Sequence, residues 1–324
     1  MSKAQLIKKP VEAEMKEFES HFSKAMDSNI PLLKHIVNYL YRQKGKQLRP
    51  VLVFLTAKLH GDVTDRTFTA ASMIELLHSA TLIHDDVVDE SYRRRGAFSI
   101  NALWRSKIAV LVGDFLLSKG LLLSVKTKSY DLLEIMSEAV REMSEGELLQ
   151  IEKSRKLNIT EEVYFDIIRK KTATLISSCA ANGACSVNAS EEEVQKMKLF
   201  GEYLGIAFQI KDDLLDYSNS SVIGKPTGND LKEKKLTLPV IYALRESNEK
   251  LSRQMLQIIR RNNKNKRKIS KVVDFVIDSG GIEYTKAKME EYRKKAIDIL
   301  NEYPSSAVRD SLSALVEYAV ERKK

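Results

Sequence analysis

A chain of 324 residues with 43% hydrophobic and 30% charged side chains, and only 13 Gly and 6 Pro, suits a globular protein rich in helix and excludes disordered and collagen-like classes. The 53 Lys and Arg exceed the 44 Asp and Glu by 53 − 44 = +9, which favours phosphates, nucleic acid or an anionic membrane face as partners without choosing among them. The two cysteines, Cys179 and Cys185, match neither CxxC nor a zinc spacing and read as reduced core thiols of a cytoplasmic protein.

The opening MSKAQLIKKPVEAEM is too charged for a signal peptide, and the longest apolar stretch, IAVLVGDFLLSKGLLL, is broken by Asp114 and Lys119. A soluble, cytoplasmic protein is expected, with peripheral membrane contact at most. Val11, Met15, Phe18, Phe22 and Met26 recur every three or four residues, and Leu33, Ile36, Val37 and Leu40 repeat the pattern after Pro31, predicting two amphipathic helices. The same periodicity predicts helices over 50–60, 68–85, 106–125, 130–152, 161–183, 191–216, 237–259, 268–279 and 283–300, and one from about 305. Ser190 and Glu193 have capping-box spacing. No Asn-Gly or Asp-Gly pair is flanked by alternating β-branched runs, so no hairpin is expected. Asn182-Gly183 sits instead among Ser, Ala and Cys, where two helices could approach closely. Breaks at Gly45, Gly61, Gly96, 218–229 and Gly280-Gly281 are too short or too apolar for interdomain linkers. The expectation is one all-α domain over 1–324. The run RRNNKNKRK at 260–268 has six basic residues and no aromatic to stack a base, so a solvated loop is preferred and no nucleic-acid partner is expected.

Two DDxxD clusters carry the chemistry: Asp85, Asp86 and Asp89, then Asp212, Asp213 and Asp216. On a helix, residues four apart share a face, so each cluster presents a ridge of paired carboxylates. Such like-charge pairs destabilise a helix and call for a cation. Both clusters follow apolar runs, LLHSATLIH and LGIAFQI, which should draw them toward a bundle interior. A hard cation fits best: Mg2+ takes one or two carboxylates together with substrate phosphates and water. Cations lie nearby in Arg93, Arg94, Arg95, Lys225 and Lys235, while GKQLRP adds Lys46 and Arg49 at a helix start suited to an anion. No Walker motif is present, since no Ser or Thr follows the Gly-Lys pairs. Taken alone, Lys170, Lys171 and Thr172 are either a solvated face or a phosphate site, and His78 and His84 either packed imidazoles or ligands.

With GKQLRP, LLHSATLIHDDVVDESYRRRG, GDFLLSKG, EGELLQ, RKKTATLI, FQIKDDLLDY and GKPTGNDLKEKKLTLP in order, the chain resembles the trans-isoprenyl diphosphate synthases, or polyprenyl synthetases, over roughly 40–245. The resemblance implies an isoprenoid synthase fold: a bundle of long helices around a deep central cavity, with both Asp clusters at its mouth, in a homodimer. It also implies Mg2+, about three ions with diphosphate bound, held by Asp85, Asp89, Asp212 and Asp216 with Asp86 and Asp213 in support. By the same resemblance, Arg94, Lys171, Thr172, Gln209, Lys225 and Lys235 contact the allylic diphosphate, and Lys46, Arg49, His78 and Arg95 contact isopentenyl diphosphate. The implied reaction is a prenyl transfer in which the allylic C–O bond ionises, the isopentenyl double bond attacks the cation, and the departing diphosphate takes the proton. Electrostatic stabilisation carries most of the catalysis.

Two features depart from the family pattern: Glu233-Lys234 stands where a glycine often precedes the last lysine, and three arginines follow the first cluster where two are usual. Gly96 aligns Arg94 and Arg95 with that pair. In this family the residues four and five before the first Asp floor the product cavity. Here they are the small Thr81 and Ala80, so depth extends toward Leu77, Ile74 and Met73; Met136 is either a deeper floor or, more readily for a single Met, ordinary core packing. Together with a rise of about 1.5 Å per residue, the resemblance implies a product of about C30 to C45, suited to quinone side chains. The alternatives are a shorter farnesyl or geranylgeranyl diphosphate synthase, a class I terpene cyclase, and a non-catalytic partner subunit.

Overall fold

The computed structural model describes residues 3–43, 45–94, 96–217 and 228–322. The apolar stripes become helices in chain order: α1 (Lys3–Lys8), a 3-10 turn (Lys9–Val11), α2 (Glu12–Met26), α3 (Pro31–Arg42), α4 (Leu48–His60) and α5 (Asp65–Val88). After strands β1 (Arg93–Arg94) and β2 (Ala97–Phe98) come α6 (Ile100–Lys126), α7 (Tyr130–Lys156), α8 (Glu161–Ile168), a π-helical turn (Arg169–Ala173), α9 (Thr174–Ser186) and α10 (Glu191–Leu215). The chain ends in α11 (Asn229–Lys232), α12 (Leu238–Glu246), α13 (Glu249–Asn262), α14 (Lys266–Asp278), α15 (Gly281–Asn301) and α16 (Ala307–Glu321). The all-α expectation holds, with corrections. A two-residue hairpin does form, Arg93 opposite Phe98 and Arg94 opposite Ala97; strands so short carry no alternation for a sequence reading to detect. The helix expected over 237–259 divides where Asn248 caps α13 by accepting from Leu251 N–H at 2.9 Å. Ser190 Oγ accepts from Glu193 N–H at 3.3 Å, and the Glu193 carboxylate also pairs with His60 and Lys196.

Contacts group the chain into two compact units, 1–137 with 178–198 and 304–312, and 138–177 with 199–303 and 313–324. In the first, Phe18, Phe22, Phe54 and Phe68 form an aromatic core, with successive ring centroids 5.1–6.0 Å apart. Gly183 lets α9 lie directly on α4: a Cβ there would fall 1.9 Å from Thr56 Oγ1 and 2.4 Å from the Val53 carbonyl oxygen, the close approach expected of its small neighbours. In the second unit, Ile206, Ile210 and Leu214 of α10 pack with Leu231, Val240, Ile259, Val272 and Val276, which seats α10 among the C-terminal helices. Both cysteines are free thiols, and burial pushes each up to about 12. α6 is the one described helix long and apolar enough to cross a membrane, with mean hydropathy 1.9, yet only 33% of that window is buried. It is interrupted at Arg105, whose φ is 68°.

Candidate active site

The first unit carries the first Asp cluster at the C-terminal end of α5, where helix carbonyls already concentrate negative potential and no basic residue occupies the last turn. Asp89 caps the helix, its N–H donating to the Asp85 carbonyl at 2.8 Å, and its side chain is exposed. Asp86, three residues beyond buried Ile83, turns inward and is 4% exposed. Arg94 answers it, with Nε and Nη2 each 2.8 Å from Asp86 Oδ1. Burial pushes the Asp86 carboxyl upward, and Arg94 opposes the shift. A cavity of about 80 Å3 next to this pair is lined by His78, Ser79, Glu75, Tyr41 and Gln43. At its edge Arg49 Nη1 lies 2.9 Å from His78 Nε2. Since Arg can only donate, His78 accepts there and is neutral at that nitrogen. Lys46 is exposed just before α4. Arg93 is exposed and lies over the Phe98 ring at 5.2 Å, a role separate from that of Arg94. Arg95 lies outside the described residues.

The second unit carries the other cluster at the end of α10, again with no basic residue in the last turn. A cavity of about 140 Å3 is lined by Lys171, Thr172, Gln209, Asp213, Asp230 and Lys235. Its polar groups form a chain: Thr172 Oγ1 donates to Gln209 Oε1 at 3.0 Å, Gln209 Nε2 to Asp213 Oδ1 at 2.9 Å, and the Tyr164 hydroxyl to Asp213 Oδ2 at 2.6 Å. Lys171 pairs with Glu147, and Lys235 Nζ is 2.6 Å from Glu233. Burial raises Asp213 to about 8, helped by the charge of Asp230; burial, then Asp216, raises Asp230 to about 7. Such perturbed carboxylates in a cavity mark a functional site. Lys225 lies outside the described residues.

Close packing positions Lys171 and Thr172. Both sit on the π-helical turn, wedged where neighbouring helices lack side chains. A Cβ on Gly205 of α10 would fall 2.5 Å from Ala173 Cα, and one on Gly146 of α7 would fall 2.7 Å from the Lys171 backbone nitrogen. π turns recur at functional sites because they push side chains out of α-helical phase.

The three carboxylates of the second cluster are not equivalent. Asp213 is buried and held by Tyr164 and Gln209. Asp216 accepts from the N–H groups of Asn229 and Asp230 at 2.9 and 3.0 Å, tying α10 to α11. Asp212, with its side chain 41% exposed, pairs with Arg322 Nη2 at 2.5 Å. Arg322 also lies 3.7 Å from the Phe208 ring centroid. Among the described residues no three acidic, His or Cys side chains converge on one point; Asp89 is exposed in the first cluster and the Asp212 side chain is 41% exposed in the second, a disposition suited to an ion that completes its shell with phosphate and water.

The polyprenyl synthetase family profile matches residues 30–276. The chain belongs to this family. Like its relatives, this polyprenyl synthetase is a prenyltransferase. It is 36% identical over 298 residues to octaprenyl diphosphate synthase of Escherichia coli, covering 92% of each chain. It superposes with a TM-score of 0.90 on a Caulobacter crescentus polyprenyl synthase complexed with calcium and isoprenyl diphosphate, at 33% identity and covering 99% and 98% of the two chains. With geranylgeranyl pyrophosphate synthase of Bacteroides thetaiotaomicron the TM-score is 0.85 at 40% identity, covering 99% and 100%.

Within the synthetase's first unit, Arg49 and His78 are brought together, as are Asp86 and Arg94; within the second, Lys171, Thr172, Gln209, Asp213 and Lys235 are. Of the positions expected to set product length, Leu77 and Ala80 are buried at 5% and 2% exposure, and Thr81 is half-buried with its hydroxyl donating to the His78 carbonyl at 3.0 Å. Sequence reasoning missed Tyr164, Asp230 and Arg322. Tyr164 reads as one more apolar residue of α8, Asp230 stands unassigned inside GKPTGNDLKEKK, and Arg322 lies far from any motif.

Proposed function

We propose that this synthetase condenses isopentenyl diphosphate onto an allylic diphosphate in a Mg2+-dependent reaction, making an all-trans product of about C30 to C45, a window resting on family resemblance and on helix rise along α5. The observation that carries this reading is the cavity that gathers Lys171, Thr172, Gln209 and Lys235 beside a buried Asp213. It offers cations and amide or hydroxyl donors at the edge of a carboxylate cluster, as a diphosphate and its metal require. The related Caulobacter structure, with calcium and isoprenyl diphosphate, supports a divalent cation. Asp85, Asp89 and Asp212 are the carboxylates that would hold it, with Asp216 contributing what its contacts to α11 leave free. When bound, Mg2+ supplies charge neutralisation for the departing diphosphate.

The chain's own groups supply the rest. Lys171 and Lys235, joined by Arg94 and Lys225, bind the allylic diphosphate. Thr172 and Gln209 orient it, and the Tyr164–Asp213–Gln209 chain fixes the amide's direction. Lys46, Arg49, His78 and Arg95 bind isopentenyl diphosphate. The allylic C–O bond breaks with both electrons leaving on diphosphate, the isopentenyl double bond forms the new C–C bond, and the proton lost from the adduct goes to diphosphate. We read residues 1–324 as one catalytic domain.

Leu103, Val110, Leu111, Leu121, Leu122 and Val125 of α6 are each 40–56% exposed and recur at helical spacing. This apolar face supports a homodimer, and Asp114 on the same helix, 61% exposed, argues against a membrane span. Cytoplasmic location, use of the product for quinone side chains and peripheral membrane contact on product release complete the proposal.

Mass analysis of products from the purified protein with farnesyl and isopentenyl diphosphates, with and without Mg2+, tests it. Products of about C30 to C45 that depend on Mg2+ and on isopentenyl diphosphate are expected, the range again resting on family resemblance and helix rise. The 40% identity to the Bacteroides enzyme favours a second reading, a geranylgeranyl diphosphate synthase, which the same chromatogram would reveal as a C20 product.

A further inference from the structure

The turn between α13 and α14 carries Arg260, Arg261, Lys264, Lys266, Arg267, Lys268 and Lys271, with no acidic residue between 250 and 273. All seven are exposed, because Met255 and Ile259 of α13 and Ile269, Val272 and Val273 of α14 claim the inward faces. None of the seven is ion-paired to a carboxylate among the described residues. Neighbouring α15 behaves otherwise: Lys288, Arg293 and Lys295 pair with Glu290, Glu291 and Glu317 at 2.5–3.0 Å. Uncompensated like charge raises the free energy of the folded chain, so its concentration on one ridge points to an anion supplied from outside.

The ridge is braced against the cavity of the second unit. Asn263 Nδ2 donates to the Lys232 carbonyl at 2.6 Å, which ties the turn to α11 between Asp216 and Lys235. Arg260 Nη2 reaches the Lys156 carbonyl at 3.5 Å. That end of α7 adds Lys153, Arg155 and Lys156 around Ser154, which lines the cavity.

We propose that this basic ridge is an electrostatic collecting surface for diphosphate substrates, raising their concentration beside the cavity of Lys171 and Lys235 without touching the bound substrate. The inference rests on the diphosphate reading of that cavity. It is tested by calorimetric titration of inorganic pyrophosphate with Mg2+ into the wild-type protein, into Arg261→Gln/Lys264→Gln/Lys266→Gln/Arg267→Gln, and into Lys288→Gln/Lys295→Gln as a control of paired cations. At about 20 mM salt the ridge variant should bind roughly 10-fold more weakly, while the control matches wild type. At about 300 mM salt the gap should shrink below about 2-fold, because screening then acts over only about 5–6 Å. Equal affinities at low salt would overturn the proposal, and so would a gap that survives high salt, which would mean direct contact. If the affinities are equal and only the wild type sediments with phosphatidylglycerol vesicles, the ridge is a membrane-docking surface and the proposal is wrong. A wild-type protein that binds no pyrophosphate at all would refute the diphosphate reading itself.

Discussion

Replacing Gly205 by Ala tests whether the π turn must lie directly on α10. The added methyl carbon would sit 2.5 Å from Ala173 Cα, 2.7 Å from Ala173 Cβ and 3.3 Å from its carbonyl oxygen. Backbone cannot swing aside as a flexible side chain can, so the turn must retreat by about 1 Å to restore contact at 3.5–4.0 Å. Overpacking of this kind costs about 1–3 kcal/mol, against which the better helix propensity of Ala returns up to about 1 kcal/mol. A net loss of about 1–2 kcal/mol should lower Tm by about 1.5–3 °C in a chain of this size. The same retreat opens the Thr172–Gln209 hydrogen bond, since Thr172 adjoins Ala173 and Gln209 lies one helical turn beyond Gly205. A misplacement of about 1 Å in a positioning group costs on the order of 100-fold in rate. We therefore expect kcat/KM for the allylic diphosphate to fall about 10- to 100-fold, with KM for isopentenyl diphosphate little changed. Gly120→Ala is the control: its methyl would lie 3.9 Å from Leu76 Cβ and the Met73 carbonyl oxygen, an ordinary contact, so stability should hold or rise by up to about 1 kcal/mol. A Gly205→Ala protein with wild-type Tm and wild-type kcat/KM for the allylic diphosphate would refute the reasoning.

Four further outcomes are expected. Asp213 and Asp230, at about 8 and about 7, titrate in the folded, metal-free protein well above the roughly 3.9 of an unfolded Asp. Their contribution to stability is therefore full below about pH 4 and is lost as pH rises through about 7 to 8, so urea midpoints should fall over that window, less steeply in Asp213→Asn. Tyr164→Phe removes a buried donor and should cost about 1–3 kcal/mol in urea unfolding at neutral pH. Asp85→Ala and Asp212→Ala should each abolish Mg2+-dependent condensation with the helical circular dichroism retained; full turnover by either would contradict its assignment as a metal ligand. Thr81→Phe places a ring one helical turn from Asp85 and should shorten the product, a shift visible by mass spectrometry.

Much of this arrangement is legible in the chain. The spacing that makes Asp85 and Asp89 share a face also places Asp86 three residues after Ile83, and Asp213 three after Ile210, so the middle carboxylate of each cluster turns toward apolar neighbours. Both are buried and partnered, by Arg94 for one and by Tyr164 with Gln209 for the other. What could not be read depends on contacts across long stretches of sequence. Arg322 meets Asp212 across 110 residues, and no pattern in α16 signals it. The split between α12 and α13 escaped because apolar spacing continues through Ser247 and Asn248, while the break is made by a single side-chain cap. Asp216 looks identical to Asp89 in the motif, yet its two oxygens hold backbone N–H groups of α11, whereas Asp89 caps α5 with its own N–H.

The π turn at Arg169–Ala173 also bears on how such a site can change. A π turn holds one residue more than the α-helical turn it replaces, so deleting a residue there would let α8 and α9 join in ordinary phase, their packed faces undisturbed. The bundle would survive the loss of Lys171 or Thr172, a loss most helices could not take without shifting everything downstream. The segment thus acts as a slot, in which one side chain can be gained or lost at the expense of a single step in the hydrogen-bond ladder.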